Sequence, residues 1–176
     1  INKNNQVTGK PINEESYNVN ANNTNLSLGI EKKKVVNPGL LRAGGVEYFG
    51  NNPDFTQVTV NNLPSGVKFS TVPIYAPYLE NTTFNSLLSL GKVAKERGQG
   101  DVIITGLSRI PAYDAIKGKS ATPGKGPHTR GKAVDVHPNA FTHWLAKQPE
   151  SFLESIGIQN VYDEVKSGNH YHINFL

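Results

Sequence analysis

The chain has 176 residues, 36% of them hydrophobic, a net charge of +4 and a pI of about 9.2. That length suits one ordinary domain, or a small domain plus an extension, and no stretch approaches the ~20 apolar residues of a membrane-spanning helix. Cysteine is absent, which excludes disulfides and thiolate zinc sites and fits a protein working outside a reducing cytosol.

The chain opens on Ile1 without an apolar signal core and contains no Met, so it reads as a processed product or a piece of a longer protein. Residues 1–30 hold nine Asn and almost no large apolar side chains, the composition of an extended or poorly ordered arm. The stretches FTQVTV (55–60) and GVKFSTV (66–72) alternate and carry β-branched residues, so they predict strands separated by a turn at NLPSG. Residues 1–75 thus read as an Asn-rich arm with a small β-rich or irregular extension that carries no motif.

A second unit is expected over 76–176. Asn81 or Thr82 is placed to cap a helix whose Phe84, Leu87, Leu88 and Ala94 follow helical spacing, with Gly98 as its stop. DVIITG (101–106) reads as a buried strand, followed by a long loop rich in Gly, Pro and Lys. KAVDV is the next strand, 139–157 a helix pair broken at Pro149, and NVYDEV and HYHINF two strands joined by KSGN as a hairpin. This order predicts an α+β fold, a small antiparallel sheet with flanking helices.

Chemistry concentrates in two of these segments. In an extended strand the side chains alternate, so His170, His172 and Asn174 share one face while Tyr171, Ile173 and Phe175 turn to the core. In KAVDVH, Ala133, Asp135 and His137 share a face. Gly131 lets the chain turn from the His128 loop into that strand, and small Ala133 leaves room for an ion. His128, Asp135 and His172 together offer two imidazoles and a carboxylate, the donor set of a catalytic Zn2+ site with a fourth position open. The second histidine, His170, suits a general base or a group that supports a ligand.

The pattern His128-x-x-Gly131-x-Ala133-x-Asp135, followed by His170-x-His172, resembles the zinc D-alanyl-D-alanine peptidases, whose fold is shared by hedgehog domains and phage L-alanyl-D-glutamate endolysins. The resemblance covers residues from about 75 to 176. It implies His128, Asp135 and His172 as zinc ligands and His170 as catalytic base. Other branches use a carboxylate a few residues before the last ligand, where this chain has Asn169. It also implies that Arg109 binds a substrate carbonyl or carboxylate and steadies the oxyanion, although Thr-Gly-Leu-Ser-Arg departs by one residue from the family's Ser-Gly-Tyr-Arg. Gly126 stands where many members carry Ser.

The activity so implied is hydrolysis of peptidoglycan stem peptides or cross-links, D,D-cleavage favoured over L-alanyl-D-glutamate cleavage. The setting would be extracellular, periplasmic or virion-associated, within a larger virion or polyprotein assembly. A non-catalytic zinc module that binds the cell wall or a partner is the rival reading. Lys117, Lys119, Lys125, Arg130 and Lys132 surround the first ligand; singly each reads as a solvated loop residue, and together they would draw acidic wall polymers. No aromatic residues interleave with them, which argues against nucleic acid. His137 reads as a strand-end residue and His143 as structural.

Overall fold

The computed structural model describes residues 37–72, 74–113 and 125–176. The fold is mixed α+β, with a two-stranded antiparallel sheet, a five-stranded sheet and flanking helices. The Asn-rich arm over 1–30, Lys117 and Lys119 lie outside the described residues.

The first helix, α1 (Pro38–Gly45), starts where Asn37 accepts from the Gly39 and Leu40 amides and Pro38 supplies a preset φ. A π-helical turn (Val46–Gly50) follows. Strand β1 (Phe55–Gln57) then pairs with β3 (Tyr78–Glu80), while β2 (Val67–Phe69) joins the main sheet. The two expected strands of 55–60 and 66–72 therefore form as shorter pieces, in different sheets. The main sheet includes chain ahead of residue 76, and Val67 packs in the main core.

Helix α2 (Asn81–Arg97) ends at Gly98, which takes φ 64, the left-handed conformation that costs glycine least. The expected cap moves by one residue: Glu80 occupies the N-cap position, without a side-chain capping bond. Asn81 instead accepts from Thr56 Oγ1 at 2.7 Å and donates to Pro53 O at 2.9 Å, tying the helix to the segment around β1. Its buried stripe is Thr83, Leu87, Leu90, Gly91 and Ala94, at i, i+4, i+7, i+8 and i+11. Full burial of Leu87 and Leu90 is worth ~1.5–3 kcal/mol each. Leu88, expected on this stripe, is exposed, one helical step of about 100° beyond Leu87.

The main sheet has the order β2-β4-β5-β7-β6, with β4 (Val102–Gly106), β5 (Ala133–Val136), β6 (Ile158–Glu164) and β7 (His170–Phe175). Its β4-β5-β7-β6 pairs are antiparallel, and at one edge β2 runs parallel to β4. The chain between them contains α2, and a connection that includes a helix is what returns a strand in parallel. Between β5 and β6 the predicted helix pair appears as α3 (Ala140–Leu145) and α4 (Glu150–Ser155), with Pro149 at the N-cap of the second. The final hairpin turns through a single helical turn, α5 (Val165–Gly168), and Asn169 at φ 55. Val165 thus leaves the predicted strand and enters the turn.

Tyr171, Ile173 and Phe175 point into the main core, as their alternation requires, beside Val134, Val136 and Ile104. A second, smaller core joins Leu41 and Phe49 to Ala76, Tyr78, Ile110 and Ala112. Phe49 stacks on Tyr78 of β3 at 5.8 Å, and through Ile110 and Ala112 this core also takes in the chain that follows β4. Among the described residues no helix is long and apolar enough to cross a membrane.

Candidate metal centre

The site forms where β5 and β7 meet. Their antiparallel register sets Asp135 directly opposite His172 and Ala133 opposite Asn174. His128 comes from the turn that enters β5: its carbonyl accepts from Gly131 N at 3.1 Å and Arg109 N at 3.3 Å. Gly131 holds that turn at φ 69, where an added Cβ would lie 2.6 Å from Glu80 N and from Phe55 Cε1. The His128 carbonyl is thus tied both to its own turn and to the chain that follows β4.

His128, Asp135 and His172 bring their ligand atoms within 4.8 Å of one another, a group able to hold a metal ion. His128 Nε2 is 3.1 Å from Asp135 Oδ1 and 3.2 Å from His172 Nδ1. His172 Nδ1 is 2.9 Å from the same Oδ1. Ligand atoms at 2.0–2.1 Å from a tetrahedral zinc ion stand about 3.3 Å apart, so the three atoms already approximate one face of such a tetrahedron.

The opposite nitrogen of each ring settles which atom faces the cluster. His128 Nδ1–H donates to Leu107 O at 2.6 Å, and His172 Nε2–H donates to the Asn174 amide oxygen at 2.8 Å. In the neutral tautomers so fixed, His128 Nε2 and His172 Nδ1 are lone pairs. With both rings neutral, these unshared pairs converge on one carboxylate oxygen, an arrangement that suits a cation. The donor set, two imidazoles and one carboxylate, fits a borderline-soft ion such as zinc better than an all-oxygen ion such as calcium.

Electrostatics point the same way. Burial holds His128 below its ordinary histidine value, outweighing the pull of Asp135. Burial also pushes the Asp135 carboxyl up, but the His128 and His172 imidazoles at its Oδ1 and the charge of Arg109 leave it far below the usual carboxylate range. For His172 burial acts downward, yet its hydrogen bond to Asp135 wins and the net shift is upward. The two histidines differ because His128 is almost fully buried and His172 keeps part of its ring in solvent.

His170 lies at the rim of the cluster, Nε2 3.6 Å from Asp135 Oδ1 and 3.0 Å from Glu164 Oε2. Arg109 is turned to Asp135, its Nη2 donating to Oδ2 at 2.8 Å. The guanidinium therefore fixes the carboxylate and leaves Oδ1 to the histidines. On the Arg109 side of Asp135 opens a cavity of about 130 Å3, walled by Leu41, Ile74, Tyr75 and Tyr113. His137 is exposed past the end of β5, and His143 bonds the Tyr171 hydroxyl at 2.5 Å on the far face of β7. Lys125 and Arg130 are exposed, whereas Lys132 pairs with Glu80 at 3.6 Å.

Sequence reasoning gave no role to three neighbours. Asn174 sits on the alternating face with His170 and His172, and that alternation is the signal that it supports a ligand. Tyr162 and Glu164 stand opposite His172 and His170 on β6; only the hairpin register reveals them, because NVYDEV has no marked pattern. The Tyr162 ring is 6.1 Å from that of His172, tilted by 31°. Set beside known proteins, the chain matches no family model and no curated protein.

Proposed function

We propose that the protein is a zinc-dependent peptidase acting on the stem peptides or cross-links of bacterial peptidoglycan, of the D-alanyl-D-alanine peptidase type. The observation that carries this reading is the convergence of three potential ligand atoms, His128 Nε2, His172 Nδ1 and Asp135 Oδ1, beside a fourth polar group, His170, outside that set. The motif His128-x-x-Gly131-x-Ala133-x-Asp135 with His170-x-His172 supports the substrate class.

A zinc ion held by these three residues supplies Lewis-acid polarisation and lowers the pKa of water. The chain's own contribution is orientation and proton transfer. His170 donates Nδ1–H to Gly168 O at 2.9 Å, so its neutral tautomer keeps a lone pair on Nε2, which faces the site. That nitrogen takes the proton of the attacking water and returns it to the leaving amine. Arg109 holds Asp135 by Oδ2 and adds positive charge where an oxyanion develops. The cavity beside Arg109 takes a side chain next to the scissile bond. Leu41, Ile74, Tyr75 and Tyr113 give it apolar walls beside the polar Ser108, Arg109 and Asp135, which suits a small apolar residue next to a polar backbone.

Digestion of purified peptidoglycan, with and without chelator, tests the proposal by mass spectrometry of the released muropeptides. Chelator-sensitive release supports it, and the fragment masses name the bond. Absence of release from several wall chemistries by zinc-loaded protein would overturn it in favour of a non-catalytic zinc module.

A further inference from the structure

The β6–β7 hairpin builds a seat for one side chain. Glu164 stands opposite His170 in the register, with Oε2 3.0 Å from the imidazole Nε2. The other ring nitrogen donates to Gly168 O at 2.9 Å. The ring also lies on Gly168 itself: a Cβ there would be 2.5 Å from His170 Cε1 and 2.7 Å from Nδ1. Atoms do not approach so closely, so any side chain at 168 displaces the ring. Asn169 at φ 55 closes the turn that puts Gly168 under it. Among the described residues, His170 is the basic group within ion-pair reach of the Glu164 carboxylate.

We propose that Glu164 and Gly168 orient the His170 imidazole toward the metal centre, Glu164 acting as a positioning residue and not as the base. The inference rests on the peptidase reading above. A histidine at the rim of a hairpin otherwise samples several rotamers. With Nδ1–H bonded to Gly168 O, one ring face on Gly168 and Glu164 beside Nε2, it reaches a productive geometry before substrate binds. A carboxylate thus stands near the catalytic histidine although position 169 has none. It arrives from six residues ahead of His170, across the turn.

Four variants test this: Glu164→Ala, Glu164→Gln, Gly168→Ala and His170→Ala, each zinc-loaded. Zinc stoichiometry, the imidazole Cε1–H NMR signal of His170, and kcat and KM on soluble muropeptides are measured. Full zinc is expected in all four. The His170 signal should shift or broaden in Glu164→Ala and Gly168→Ala, with kcat down about 10–100-fold and KM little changed. Glu164→Gln, which keeps a polar side chain of the same shape beside the ring, should recover part of the loss. A Glu164→Ala protein with parental kcat and an unmoved His170 signal overturns the seat. So does a loss as deep as that of His170→Ala, which would make Glu164 the base, or a loss of zinc, which would make it part of the metal site. If the parent protein cleaves no muropeptide the peptidase reading fails, while the His170 signal still decides whether the seat exists.

Discussion

His128 Nε2 and His172 Nδ1 lie 3.2 Å apart, and in its neutral form each ring carries its proton on the far nitrogen, bonded to Leu107 O or to Asn174 Oδ1. Two lone pairs held that close, with Asp135 Oδ1 2.9 Å from one of them, repel unless a cation lies between. A metal ion held here would therefore couple its binding to folding.

Replacing His172 by Ala removes one of the three ligand atoms. The variant should lose stoichiometric zinc, and with it the stabilisation that zinc confers, about 4 kcal/mol at a thousandfold excess over Kd. Elemental analysis and calorimetry with and without zinc check both losses. Stoichiometric zinc in the variant would remove His172 from the ligand set.

The stabilisation by metal should grow with pH. In the metal-free chain the bond to Asp135 lifts His172 above its ordinary value against the opposing effect of burial. The contribution of this raised group is full below about pH 6.5 and is lost as pH rises through the folded value. A zinc ion must displace that proton, so its advantage increases over the same window. Asp135 behaves oppositely: its depressed folded value gives stability above about pH 4 that is lost on further acidification. Melting temperatures with and without zinc should diverge progressively from pH 5.5 to 8. A constant difference would mean that no proton leaves on binding.

Asn174→Ala should keep the fold but weaken zinc. The Asn174 amide oxygen holds Nε2–H of His172 at 2.8 Å and thereby keeps Nδ1 free for the ion. Loss of such a partner lowers metal affinity by about 10–100-fold. Competition with a chromophoric chelator measures it, and an unchanged affinity would show that Asn174 does not set the tautomer.

Arg109→Ala should weaken both zinc and turnover. The guanidinium is bonded to Oδ2 of Asp135, so its removal frees the carboxylate to rotate and strips positive charge from the site. A turnover loss of about tenfold or more, with a smaller loss of affinity, is expected. An affinity loss without a turnover loss at saturating zinc would confine Arg109 to holding Asp135.

Gly131→Ala tests the turn that carries His128. At φ 69, and with Glu80 N and Phe55 Cε1 each 2.6 Å from the new Cβ, the variant should lose on the order of 1–3 kcal/mol and bind zinc poorly. Thermal melting and zinc stoichiometry read these together. A parental melting temperature would show that the turn relaxes freely.

The residues that converge were legible because period-two alternation is a local property. It put His170, His172 and Asn174 on one face of a strand and Asp135 on one face of another, whatever lay beside them. Helix α2 and its stop at Gly98 were legible for the same reason, since the spacing of apolar residues and one glycine are enough. The cap was displaced to Glu80 because Asn81 found better partners in Thr56 and Pro53, far away in the chain. Leu88 was misplaced because Leu87 and Leu90 define the buried stripe and a neighbour one step round the helix falls outside it.

By itself, then, the sequence determined the donor types, their strand faces, the glycine turn before β5 and the α+β order of elements, all of which follow from nearest-neighbour backbone geometry. The tertiary structure alone decided the register. Pairing Asp135 with His172 and Glu164 with His170 brings together residues from distant parts of the chain. It also turned Arg109 onto Asp135, moved β2 into the main sheet as a parallel edge and opened the cavity between α1 and the end of β4. These depend on how strands pair and cores close, and such contacts between distant segments leave no periodic trace in the chain.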